Sequence, residues 1–208
     1  MDIIYHELMD LMNDDCPVCA LMSKRLSEKI EFFLYEAVND RGLRKEISVG
    51  GGFCNTHAYQ ILEAGDPLAH AILYSDLLAD LSVNLRAGNV SRHTGKCVFC
   101  ESAAQGEKIY TAKFAAYYEE VEEFRSKYAQ SGMLCKKHIT DAAVLIKKKG
   151  IREELCNKTA EKYDLLIKDL EGIRRKSDYR HSHEPWSEGE RTAWKKAVAA
   201  INGCRGIK

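Results

Sequence analysis

The heptapeptide "GGFCNTH", residues 51–57, sets a glycine pair before a Cys-x2-His. Upstream stands "CPVC", Cys16 to Cys19, and 81 positions later the chain repeats the arrangement as "CVFC", Cys97 to Cys100, and "GMLCKKH", Gly132 to His138. In both copies 34 residues separate the C-x2-C from the C-x2-H. Apolar positions follow the same shift: Phe33 matches Phe114, and Leu85 matches Leu166. Two motif pairs in register read as an internal duplication, one repeat within residues 1–95 and the next at 96–176.

Helical periodicity dominates each repeat. "IIYHELMDLM" places Ile4, Leu8, Leu11 and Met12 on one face before the Asn13-Asp14-Asp15 breaker. Pro17 falls where a first helical residue would, which makes Cys16 an N-cap and predicts a helix over 17–38. "NDRGLRKEISVGGG" reads as a connection, followed by a helix from Cys54 to Ala64 and a long one from Pro67 to Gly88. The second repeat has the same plan, with "ESAAQGEKIYTAKFAAYYEEVEEFRSKYAQ" as its first helix. No segment has strand periodicity. The expected fold is all-α, two pseudo-symmetric three-helix repeats each carrying a Cys3His metal site. Residues 177–208 have no counterpart in the repeat. There Ser187 and Glu190 have capping-box spacing and Asn202-Gly203 a stop signal, which predicts a last helix over 188–201 after an extended arm.

Cysteine and histidine at this spacing suit metal ligation, because helix N-termini favour thiolates. Read within each repeat, Cys16, Cys19, Cys54 and His57 form one Cys3His set, and Cys97, Cys100, Cys135 and His138 the other. Four protein ligands close a tetrahedral zinc and mark a structural site. Iron–sulfur clusters are the main alternative at the same residues. A redox C-x2-C lacks its usual βαβ context, and cysteines packed as small apolar residues do not explain two motifs in register. Glycine before the second pair lets the backbone turn closely past the metal. Cys156 and Cys204 have no partner motif and read as free thiols. His6, His70 and His93 carry no pattern, and "HSHE" (His181 to Glu184) reads as a solvated loop. Phe32, Phe33, Tyr117 and Tyr118 follow helical spacing, as packing residues do.

The 208 residues carry 31 basic and 31 acidic side chains. Residues 1–96 hold 9 Lys/Arg against 14 Asp/Glu, and residues 97–208 hold 22 against 17. That asymmetry is too mild and too dispersed for a nucleic-acid footprint. With 45% hydrophobic residues, a mean hydropathy of −0.36 and three prolines, the chain reads as soluble and globular. It shows no membrane-length apolar run and no signal-peptide pattern. Metal-bound thiolates in such a chain point to the reducing cytoplasm.

The double "CxxC … GFCxxH" pattern followed by "DYR…EPW" resembles an uncharacterised prokaryotic family, domain of unknown function 6062. The resemblance runs from Cys16 through the last helix. It includes Asp178, Tyr179, Arg180, Glu184, Pro185 and Trp186, and departs at "GMLC", where the family has Gly-Phe-Cys. It implies no activity. The expected function is a metal-stabilised helical binding or scaffold protein, with a protein or small ligand as partner. A redox or metal-handling role is the alternative. No nucleophile–base pair stands out. Asp178, Tyr179, Arg180 and Trp186 are the candidates for a docking arm or the edge of a ligand cleft, with Tyr179 and Trp186 pinning the arm and Arg180 paired to an acidic group of the first half.

Overall fold

The computed structural model describes residues 2–13, 15–89, 97–204 and 206. Asp14 of the expected breaker, His93 and the expected 95/96 boundary lie outside the described residues. Chain order runs α1 (Ile3–Asp10), α2 (Pro17–Phe32), a π-helical turn (Phe33–Ala37), α3 (Arg41–Val49), α4 (Asn55–Ala64), α5 (Pro67–Arg86), α6 (Val98–Glu120), α7 (Glu122–Ser131), α8 (Lys136–Leu145), α9 (Lys149–Lys176) and α10 (Glu188–Asn202). No strand occurs among the described residues. The expected all-α class is the observed one.

Two helix readings change. The stretch expected as a connection contains α3, because the Asp40 carboxylate accepts from the N–H groups of Gly42 and Leu43 and caps it, while Ile47 is buried. Asx capping satisfies donors that a helix start leaves open. The helix expected without interruption over Glu101–Gln130 breaks at Val121, whose φ of −113° and ψ of 113° are extended. Asp40 and Val121 are 81 positions apart. Each C-x2-C is thus followed by four α-helices where three were expected, α2–α5 and α6–α9, with a short helix ahead of each C-x2-H.

The chain divides into two compact units, one of Met1–Met22 with Glu107–Lys208, the other of Ser23–Gly106. The cuts fall inside α2 and α6, not between the repeats. The first unit packs Tyr5, Leu8, Phe114, Tyr118, Phe124 and Tyr128 into one core. Several of its rings meet edge-on, as Phe114 does with Phe124 at 5.2 Å between centroids, a geometry that aromatic quadrupoles favour. The second unit closes around Leu26, Ile30, Phe33, Ile61, Leu73 and Phe99. Burying each such side chain stabilises by about 1.5–3 kcal/mol.

The last helix is the one the sequence predicts. Ser187 accepts from the Glu190 N–H, and Glu190 accepts from the Ser187 N–H, which completes a capping box. Glu190 is buried and accepts from Lys176 Nζ of α9 at 2.7 Å. A Cβ at Gly172 on α9 would meet the Glu190 carboxylate, and one at Gly189 on α10 the Asp169 carboxylate. The preceding arm is a run of turns, not extended: His181 N–H donates to Asp178 O, and Glu184 N–H to His181 O. Arg175 forks onto Glu184 at 2.7 and 2.6 Å. The expected docking by Tyr179 and Arg180 does not occur. Tyr179 is 84% exposed, and the Arg180 guanidinium folds back onto Asp178, two residues away. Trp186 is 42% exposed. The tail is anchored by Glu190 and Glu184.

The hydrogen bond from Lys176, then that from the Ser187 N–H, holds the Glu190 carboxyl below its ordinary 4.5. A depressed folded-state value stabilises fully above the unfolded value, and the contribution fades as pH falls through the folded one. Glu190→Gln should therefore lower the melting temperature at neutral pH. The gap from the unaltered chain should stay constant above pH 4.5 and close on acidification. A pH-independent gap would assign the loss to packing alone.

Candidate metal centres

All four motifs sit at helix starts. Cys54 and Cys135 are the N-caps of α4 and α8, and His57 and His138 lie one turn into them. Cys16 and Cys97 directly precede α2 and α6, and their carbonyls accept from the N–H groups of Ala20 and Glu101. One turn on, Cys19 and Cys100 come back to the same side.

The structure brings together all eight expected ligands, but crosses the expected sets. Cys16, Cys19, Cys135 and His138 form one group, and Cys54, His57, Cys97 and Cys100 the other, the donor atoms of each lying within 4.8 Å of one another. Each compact unit thus holds one complete group, built from the C-x2-C of one repeat and the C-x2-H of the other. The within-repeat sets fail because the units cut through α2 and α6, leaving Cys16 and Cys19 in one unit and Cys54 and His57 in the other.

In the first group the Sγ atoms of Cys16, Cys19 and Cys135 each lie 3.3 Å from His138 Nδ1. Cys19 and Cys135 stand 3.7 Å apart, sulfur to sulfur. In the second, Cys54, Cys97 and Cys100 lie 3.1, 3.5 and 3.3 Å from His57 Nδ1, and Cys54 and Cys100 are 3.5 Å apart. One ring nitrogen offers a single lone pair or a single proton. It cannot make three equivalent hydrogen bonds, whereas these distances fit the edges of a coordination polyhedron. Either group could hold a metal ion.

Supporting residues fix the donors. His138 Nε2 lies 3.1 Å from the Glu107 carboxylate, which also binds Lys137 at 2.7 Å. A carboxylate on the far nitrogen keeps the proton there and leaves the Nδ1 lone pair facing the three thiols, as a ligand to a metal would need. Leu134, just before Cys135, donates its N–H to the Tyr128 hydroxyl at 3.2 Å, and its carbonyl accepts from Tyr163 at 2.8 Å. The glycines matched by the repeat act differently. Gly51 and Gly52 adopt φ of 82° and 87°, conformations that favour glycine. Gly132 instead lies so close to the Tyr128 ring that a Cβ would clash.

Burial and mutual contact shift the titration of these groups. Burial, then hydrogen bonds with Cys135 and Cys19, pushes the Cys16 thiol well above its ordinary value. Hydrogen bonds with Cys135 and Cys16 lower Cys19. Burial works against a charged His138 ring, yet Cys135 and Cys19 outweigh it and raise the ring to about 10. Burial, then Cys54, pushes Cys100 up to about 12. Raised thiols at Cys16 and Cys100 hold their protons, and ligation of a metal ion would displace them.

Cys204 is the neighbour that sequence reasoning missed. Its hydrogen bond with Cys19, then burial, raises it above the ordinary thiol value. Lying one residue past the helix-stop glycine, it had no motif to reveal it. Cys156 is exposed. Asp178, Tyr179, Arg180 and Trp186 belong to neither metal group.

A family model described as a family of unknown function, DUF6062, matches residues 3–89 and 82–205. An "Uncharacterized 23.9 kDa protein in xynA 3'region" from Caldicellulosiruptor sp. (strain Rt8B.4) is 35% identical over 195 residues, covering 91% of this chain and 96% of the relative. No solved structure matches the chain.

The crossed pairing makes a stoichiometric prediction. Cys16→Ser, Cys135→Ser and the double variant should each lose the same ion and retain about one per chain, whereas Cys16→Ser with Cys54→Ser should lose both. Metal counting on the purified variants decides it. Pairing within repeats would give the reverse result for the two double variants.

Proposed function

The chain belongs to the family of unknown function DUF6062, and from that premise we propose that it is a helical binding or scaffold protein stabilised by two structural zinc ions. The observation that carries this reading is the pair of closed four-donor groups. Tetrahedral zinc with bonds of about 2.3 Å to sulfur and about 2.0 Å to nitrogen has sulfur–sulfur edges of about 3.8 Å and sulfur–nitrogen edges of about 3.5 Å. Edges of 3.7 Å and 3.3 Å in the first group accord with one ion at its centre. A four-iron cluster spreads its ligands over four metal atoms, which needs donors further apart than these.

Cys3His suits zinc, and four protein ligands leave no coordination position for water or substrate. The metal then stabilises the fold and does not perform chemistry. Function falls to the surface that the ions hold in shape, with a protein or small ligand as partner. Thiolate ligands of this kind persist in a reducing compartment, and the cytoplasm is the one we favour. Among the described residues no helix is long and apolar enough to cross a membrane.

Untagged protein purified without oxygen or chelator should contain about two zinc ions per chain and show no visible absorbance. A brown protein containing iron and sulfide would replace this reading with the iron–sulfur one. A colourless protein with no tightly held metal would overturn both.

A further inference from the structure

Each compact unit has a groove beside its long helix. In the first unit Gln130, Gly132, Met133, Lys162 and Leu165 line a space of ≈ 230 Å³, and Lys196 of α10 forms part of its wall. Moved back by 81 positions, those five residues become Val49, Gly51, Gly52, Leu81 and Asn84. All five line the second unit's groove, between the end of α3 and α5, which has a volume of ≈ 580 Å³. The same offset that relates the metal motifs relates the two grooves.

What differs is the cover. In the first unit α10 lies along α9 and α8, burying Ala193 and Ala200 and bringing Gly189 against Asp169. In the second unit no helix follows α5 to take that place among the described residues, and the apolar wall is open. Val49, Leu78 and Leu81 are 74%, 61% and 49% exposed. Gln130 and Lys162 of the first groove are Val49 and Leu81 in the second, so the uncovered groove is the more apolar. Asp80 on its wall accepts from Ser48, and no cation pairs with it among the described residues.

We propose that the α3–α5 groove is the docking site for an amphipathic helix of a partner protein. That helix presents a seam of small residues to α5 and a basic residue to Asp80, and takes beside α5 the place that α10 takes beside α9. The chain itself supplies the precedent: on α10, Gly189 lies against Asp169 of α9, and Ala193 and Ala200 are buried. Binding of an amphipathic helix in a groove buries its apolar stripe and leaves its polar face to water. This proposal rests on the reading of the protein as a binding module and names the chemistry of what it binds.

The probe is a fluorescein-labelled synthetic peptide spanning residues 187–203, titrated into the full-length protein and followed by anisotropy. It should bind saturably. Affinity should fall at least about tenfold in Leu81→Lys, which sets a charge in the apolar groove, and likewise for a peptide carrying Ala193→Leu and Ala200→Leu. Leu145→Lys, an exposed apolar position outside the groove, serves as control and should leave affinity unchanged. Absence of binding overturns the proposal, as does binding that ignores Leu81→Lys. A concentration-dependent dimer abolished by Leu81→Lys would make the groove an interface between copies and overturn it equally. Metal is counted on the same samples: two zinc ions without peptide binding refute the docking site alone, and peptide binding by metal-free protein refutes the zinc reading alone.

Discussion

Three thiols converge on one imidazole nitrogen twice in this chain, and everything else is arranged around those two points. The first joins residues 116 to 122 positions apart, and the second joins residues 40 to 46 positions apart. The shorter clasp lies wholly inside the loop that the longer one closes. Closing a loop of roughly three times the length costs only about 1 kcal/mol more, small against the binding energy of a structural metal ion. The wide separation of the outer ligands is therefore no obstacle to their assembly.

Helix starts make the clasps geometrically cheap. A cysteine at the N-cap and a second ligand one turn later need no distortion of the helix, and the pattern occurs four times. The neighbouring residues are specific to each site. Tyr128 and Tyr163 hold the backbone that leads into Cys135, while left-handed Gly51 and Gly52 shape the approach to Cys54. The two sites have the same ligands and reach them by different local means.

Which eight residues gather was legible in the sequence because spacing carries it. Their partnership was not. Under an 81-residue offset either C-x2-C is chemically equivalent to the other, so only proximity along the chain suggested pairing within a repeat, and the long α2 and α6 defeat that assumption. The capping box at Ser187 announced α10 because it is a local interaction between residues three apart. Tyr179 and Arg180 were misread because their contacts depend on tertiary competition: Asp178 captured Arg180 at short range. The break at Val121 had no glycine or proline to announce it, and the glycines at 42 and 50–52 made the α3 stretch read as a connection.

The crossing of the ligands has a consequence for what one repeat could be by itself. A polypeptide carrying only residues of the first repeat would contain all four ligand types, yet neither observed group draws its members from a single repeat. Each half would have to lend its C-x2-C to a second molecule and borrow that molecule's C-x2-H. Joined in tandem, the two halves make that loan within one chain, so the protein has the wiring of an exchanged dimer drawn with a single strand of polypeptide.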